Sequence, residues 1–554
     1  MRLSGLSPIF LLILILVVHS GAVRIVEFCP DPYLKDDPDE YIVLEGSGSL
    51  DGLTVSDGEG GFRFPEGSRI NGTITIAKNA DAFRETHGEY PDFEWFNYTG
   101  VVPEVIRGGS LALGNVHDDL FLYSQDTLLQ SVRWPEDVSA REGQIHYLEE
   151  GAWDRRPLFV GQSRFRPKTY DNVTLTTFAS PDSSREVLVS AIGSAHHEIH
   201  LNVYEFSSPS ITDAILNAAA NGTKVTILLE GGPVGGISAV EKSAVFRMNT
   251  SGIPVYRMQS TAEAHAPYRY DHAKYFVVDG SGVLITSENF GESGIPAPGT
   301  SGNRGWGVYV QDSGVAGYFD SVFRTDLGSR YIEPFSGTEG SPESPGTAAY
   351  IPHFSAHVFS GARVTPVLAP DTSYLILDLI TSAQREIDIE QAYITNESGT
   401  RLNPYLAAAV NASRRGVHVR VLLDSYWYNL EDTADNDEMV RTINSIAVLE
   451  KLPLEARLVD TGSTGFDKIH NKGVIVDQER VLISSINWNT NSPNFNREAG
   501  IIIDHAGVAK YFGDVFQYDW ETRKEKSQGT DYLKTILAVS VLLICGFFIW
   551  RRYR

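Results

Sequence analysis

The chain has 554 residues, which at about 150 residues per domain excludes a single small binding module. Asp and Glu number 70 against 46 Lys and Arg, a net charge of −24 that opposes adhesion to nucleic acid or anionic membranes except through a local basic site. Charged residues at 21% and aromatics at 11% exclude bulk disorder, and two cysteines, Cys29 and Cys545, exclude a disulfide scaffold and a cysteine-built metal site.

Residues 1–22 join Arg2, the apolar run IFLLILILVV and the small residues Ser20, Gly21 and Ala22, the layout of a secretory signal peptide cleaved after Ala22. A retained N-terminal anchor is the alternative, and either way the next segment is exported. From 23 to 165, short β-rich runs such as RIVEF, EYIVLEG, INGTITIA and DDLFLYS alternate with Gly, Pro and Asp turns, sandwich-like spacing with no run long enough for a helical core. Within it, IVEFCPDPYLKDDPDEYIVLEG and LALGNVHDDLFLYSQDTLLQSVRW resemble the lamin-tail domain, which implies an immunoglobulin-like β-sandwich. Cys29 reads as a small buried strand residue. The acids Asp31, Asp36, Asp37, Asp39 and Glu40 read as a solvated loop, with calcium binding as the alternative.

Beyond residue 170 helical patterns run into apolar strands: SITDAILNAAANG into KVTILLE, and LNPYLAAAVNASRRG into HVRVLLD. This β-α-β grammar predicts a largely parallel sheet covered on both faces. The order occurs twice, as halves over 170–335 and 362–525, joined by a linker over 336–361 that holds SGTEGSPESPG. Seven N-x-Ser/Thr sequons, at Asn71, Asn97, Asn172, Asn221, Asn249, Asn396 and Asn411, are compatible with an exported glycoprotein. Leu533 to Trp550 is apolar apart from Lys534, Thr535 and Ser540, and Arg551, Arg552 and Arg554 follow. That pattern predicts one membrane-spanning helix over 533–550 with the C-terminus in the cytoplasm, and hence a cell-surface ectodomain.

The chemistry concentrates in one repeated constellation. His272, Lys274, Asp279, Ser287 and Asn289 recur as His470, Lys472, Asp477, Ser485 and Asn487 with identical internal spacing. A strand's period of two puts each His beside its Lys on one face, so each half offers a nucleophile or acid, a cation and an amide donor. Two such halves facing each other would surround one phosphate. Two satisfied core histidines on duplicated strands would explain the repeat, but not the Lys two residues after each.

These residues resemble the phospholipase D superfamily, whose HxK(x)4D(x)6GSxN signature occurs twice, with Thr286 and Ser484 where Gly is usual. The resemblance implies two pseudo-symmetric α/β halves with the active site between them, and no metal or other cofactor. It implies His272 as nucleophile, forming a phosphohistidine, and His470 as general acid and base. Lys274, Lys472, Asn289 and Asn487 would stabilise the phosphorane, Ser287 and Ser485 would make local hydrogen bonds, and Asp279 and Asp477 would brace the architecture. A carboxylate downstream of each motif orients the His in this family. Glu498 in NREAG fits that place for His470, whereas the matching position in NRGWG is Gly305, which leaves His272 without one.

Glu230 leading into GGPVGG, and Asp424 leading into Tyr426, Trp427 and Tyr428, stand at strand ends expected to rim the cleft, with His265 a further candidate. The leading function is a surface-tethered phosphodiesterase acting on a phosphodiester, phospholipid first, because an anchor raises the local concentration of lipid. The alternatives are an extracellular nuclease and a catalytically silent adhesion or scaffold protein, for which Gly305 is the best argument. No oligomeric state follows.

Overall fold

The computed structural model describes residues 22–522 apart from 116, 135–141, 150, 155, 157, 260–266, 345, 347, 398–400 and 432–434. The expected signal peptide, but for Ala22, the expected membrane helix over 533–550 and His265 lie outside these residues. Among the described residues no helix is long and apolar enough to cross a membrane. The chain divides into two units, with the main boundary after Gln162.

In the first unit, strands Arg24–Asp31, Tyr41–Ser49, Arg69–Ala77 and Gln144–Glu149 form the body of one sheet; Leu53–Ser56, Gly61–Arg63, Asp118–Ser124 and Thr127–Trp134 form that of a second. Alternating side chains of both sheets, including Phe28, Ile42, Leu44 and Ile76 from the first and Val55, Phe62, Leu120 and Leu122 from the second, bury one common apolar core. Cys29 is buried in its strand, its thiol directed at the Gln144 carbonyl. One short helix, Ala80–His87, was not expected; Asn79 accepts from the Ala82 N–H at its start and Gly88, at φ 84°, ends it. The acids expected in a loop are spent locally: Asp39 accepts from Leu34 N–H, Glu40 pairs with Lys78, and Asn115 bridges Asp31 and Asp37. They form no three-ligand group among the described residues.

The second unit is built on one fifteen-stranded sheet in which the two halves mirror each other in strand order, apart from an extra edge strand, Ile332–Pro334, in the first. Strands Tyr170–Ser180 and His357–Ala369 pair antiparallel at its centre. Outward on either side come Gly305–Gln311 and Glu498–Asp504, then Gly282–Thr286 and Arg480–Ser484, then Lys274–Val278 and Lys472–Val476. The expectation of a largely parallel sheet is corrected here. Only the outer strands, Glu198–Val203 with Lys224–Glu230 and Val255–Met258, and Glu386–Gln391 with His418–Leu423 and Leu454–Leu458, are parallel. The strands carrying the motifs are hairpins, too closely connected for a parallel crossover. Equivalent helices begin alike, Pro209–Ala220 after Ser208 and Pro404–Arg414 after Asn403, each with Pro in its first turn and a capping side chain before it. Each half has its own apolar core.

Two buried ion-pair groups tie the halves together. The Arg304 guanidinium donates to Asp182 of its own half at 2.6 Å and to Asp519 of the other half's last helix at 2.7 Å. Arg497 does the reverse, with Asp371 at 2.9 Å and Asp326 at 2.8 Å. The segment expected to be a linker is held against the first half, where Glu343 accepts from Ser207 Oγ at 2.6 Å and from Glu292 N–H at 3.0 Å.

Candidate active site

Each catalytic segment is positioned by a carboxylate at the end of a parallel strand. Glu230 accepts from the Asp271 N–H at 2.5 Å, and Asp424 from the Ile469 N–H at 2.8 Å, so the residue before each His is pinned by its own half. The His itself is pinned by the other half: His272 N–H donates to the Arg497 carbonyl at 2.8 Å and His470 N–H to the Arg304 carbonyl at 2.9 Å. The segments therefore meet because the backbone beside each buried arginine doubles as a docking strand.

The motif residues fall into place around this crossing. Lys274 Nζ donates to the His272 carbonyl at 2.9 Å and Lys472 Nζ to the His470 carbonyl at 2.5 Å, which is the shared face that the i, i+2 spacing predicted. Both lysines are wholly buried. Burial lowers Lys274 to about 8; burial and the Lys274 charge lower Lys472 to about 7. Burial holds His272 down to about 4 against the pull of Glu498, and holds His470 well below its ordinary value with Lys472, Lys468 and Lys274 adding to it. The crossed docking of the two segments, each His facing a carboxylate of the other half, brings both His–Lys pairs to one site.

Asp279 and Asp477 stand away from this chemistry. Each occupies the turn of its hairpin at positive φ, 50° and 56°, a conformation Asp tolerates. Asp279 accepts three backbone N–H groups, of His196, His197 and Glu198, each at 2.8 Å, and Asp477 those of Gln384, Arg385 and Glu386. These bonds hold both carboxyls below the usual range against burial. Ser287 Oγ accepts from Trp306 N–H at 3.1 Å, and Ser485 Oγ donates to Glu498 at 2.6 Å. Asn289 donates to Glu205 at 2.6 Å, while the backbone of Asn487 is held by Ser492.

The orienting carboxylate requires a correction. Glu498 does not serve His470; its Oε2 lies 2.8 Å from His272 Nδ1 across the junction of the halves. Ser485, Ser492 and Asn496 also donate to it, and with His272 and Lys274 they keep it ionised despite complete burial. Gly305 accordingly does not leave His272 unoriented. The carboxylate facing His470 is Glu288, the variable residue between Ser287 and Asn289, with Oε2 at 3.3 Å from Nδ1 but without the alignment of a hydrogen bond. Burial raises Glu288 to about 7 against Lys472 and Asn303.

Several neighbours were not evident from the motifs. Tyr204 packs edge-on against the His272 ring at 4.6 Å and beneath Lys274, and its hydroxyl accepts from the Val234 N–H of the GGPVGG loop. Lys468 is a third cation, donating to Tyr428 at 2.6 Å, while Trp427 is 60% exposed beside it. The three-acid-or-His group found among the described residues, Glu198, His200 and Asp320, lies elsewhere. Arg324 bonds both of its carboxylates, supplying the positive charge a metal would bring.

A family model described as cardiolipin synthase, PLD-like domain, matches residues 188–327 and 376–520, a little over half of the chain. The chain belongs to the phospholipase D superfamily. It is a phospholipase D-like phosphodiesterase. Among its relatives, a phospholipase D of Rickettsia bellii is 26% identical over 220 residues, 39% of this chain and 89% of that protein. A mitochondrial cardiolipin hydrolase of Mus musculus is 29% identical over 120 residues, 22% of this chain and 48% of that one. Among solved structures, a phosphatidylserine synthase of Haemophilus influenzae matches with a TM-score of 0.47 and 14% identity over 67% of this chain and 96% of that one.

Proposed function

We propose that this protein cleaves or transfers phospholipid phosphodiesters through a phosphohistidine on His272, with His470 as general acid and then general base. The observation that carries the reading is the crossed pairing of His272 Nδ1 with Glu498. With Nδ1–H donated to that carboxylate, Nε2 keeps its lone pair for attack on phosphorus. Attack forms the Nε2–P bond and breaks the P–O bond of the leaving alcohol, which takes a proton from His470. Water or an acceptor alcohol, deprotonated by His470, then releases the phosphoryl group and restores Nε2. Lys274, Lys472, Asn289 and Asn487 stabilise the charge of the phosphorane. Burial holds both imidazoles low, and the anionic substrate raises His470 and lets it carry the proton.

Lipid is favoured over nucleic acid by the net charge of −24 and by the Glu205 carboxylate, which accepts from Asn289 at the site. The case for a silent scaffold rested on Gly305, and Glu288 weakens it. The signal peptide, the membrane helix over 533–550 and a lamin-tail, immunoglobulin-like class for the N-terminal unit complete the proposal as a cell-surface enzyme. Protease treatment of intact cells tests that topology, since it should release a fragment with both histidines. The substrate is tested by incubating the full chain with labelled phospholipid vesicles, single-stranded DNA and bis(nitrophenyl) phosphate. Preferential lipid turnover supports the reading; preferential DNA cleavage makes the protein a nuclease.

A further inference from the structure

The two halves place their orienting carboxylates at different sequence positions. In the second half the sequence reads Ser485-Ile486-Asn487 and Asn496-Arg497-Glu498; in the first, Ser287-Glu288-Asn289 and Asn303-Arg304-Gly305. Each half thus has one carboxylate in these two positions, on the strand in one and beside the motif Ser in the other. Two of the donors around them nonetheless correspond. Asn496 donates to Glu498 at 3.0 Å and Asn303 to Glu288 at 3.0 Å; Ser485 donates to Glu498 and Ser287 to Glu288, the latter at 3.4 Å. Both carboxylates are fully buried and both reach Nδ1 of the other half's His.

The space admits one occupant. A Cβ on Gly305 would lie 2.2 Å from Glu288 Oε1, 2.6 Å from its Cγ and 2.7 Å from its Cδ. In the second half the position equivalent to Glu288 is Ile486, which is buried in the apolar core of that half with Trp488.

We infer that Glu288 is the positioning residue of His470, a carboxylate relocated from the strand position now held by Gly305, and that the glycine exists to make room for it. Glu288 acts by holding the His470 ring and its tautomer, leaving Nε2 toward the phosphate; it touches no substrate. The inference rests on the proposed role of His470 but is read out separately from it.

The test is a rescue series in the full chain: Glu288→Gln, Glu288→Ile, Gly305→Glu and the double variant Glu288→Ile/Gly305→Glu, which copies the second half's arrangement. With bis(nitrophenyl) phosphate, Glu288→Gln and Glu288→Ile are expected to lower kcat roughly 10- to 100-fold with KM changed less than about threefold, as for loss of an orienting partner. Gly305→Glu alone should lose activity and stability through the collision, and the double variant should recover most of kcat. In parallel, nitrogen-15 histidine NMR without substrate should show the His470 tautomer balance altered in Glu288→Gln and that of His272 unchanged. A double variant that folds but is no more active than Glu288→Ile, or a His470 spectrum indifferent to Glu288→Gln, overturns the inference. Were no phosphodiester turned over by the wild type, the functional reading would fail while the NMR arm still decided the role of Glu288.

Discussion

Replacing Glu498 with Gln should slow formation of the covalent intermediate rather than its breakdown. The side chain keeps its shape, and Ser485, Ser492 and Asn496 remain around it, but the charge against His272 Nδ1 at 2.8 Å is lost. A hydrogen bond to a charged group contributes about 1.5–3 kcal/mol, and about 1.4 kcal/mol is tenfold in rate, so phosphorylation should slow about 10- to 150-fold. The amide can also turn its NH2 toward Nδ1, which forces the proton onto Nε2 and removes the attacking lone pair. Rapid quench with a nitrophenyl phosphodiester separates the steps: the burst should slow and lose amplitude while the rate of dephosphorylation stays unchanged. An unchanged burst with slower dephosphorylation would return Glu498 to His470 and refute the crossed geometry.

Burial of His272 has a stability consequence with a definite sign. Its folded value of about 4 lies below the ordinary 6.5, so the unfolded chain binds a proton first as pH falls. The native state should therefore lose about 3 kcal/mol relative to a His272→Gln variant between pH 6.5 and 4, measured by urea unfolding; parallel pH profiles would contradict this. Arg304→Met strands Asp182 and Asp519 in the interior and should cost about 3–5 kcal/mol, seen as a lower denaturant midpoint. A loss under 1 kcal/mol would show that the junction is held by other contacts. Turnover should persist in EDTA, because the charge stabilisers are Lys274, Lys472, Asn289 and Asn487; complete loss restored by a divalent ion would contradict the mechanism.

The duplication and the motif were legible because the spacing of His272 to Asn289 is repeated in His470 to Asn487, and strand periodicity carries each Lys to the side of its His. The partners of the histidines were not. Position within a repeat suggests that a carboxylate serves its own half, whereas the Arg304 and Arg497 backbones dock each His segment onto the opposite half and so cross the pairs. Glu288 was hidden in the variable place of the motif; the clue was an acid there in the half that lacks one at Gly305. The antiparallel centre of the sheet was missed because fully buried strands such as Lys274–Val278 and Gly282–Thr286 have no alternation to separate them from parallel ones. The linker's composition reads as flexible, yet Glu343 makes two specific contacts that composition cannot reveal.

The measurement that tests the central claim most directly is the trapping of the covalent intermediate with a phosphorus-labelled, nitrophenyl-activated phosphodiester, followed by peptide mapping. Label should appear on His272 in the wild type, be absent in His272→Ala, and still form in His470→Ala, where a good leaving group needs no proton. Label on His470 with none on His272, or turnover by His272→Ala at the wild-type rate, would contradict it.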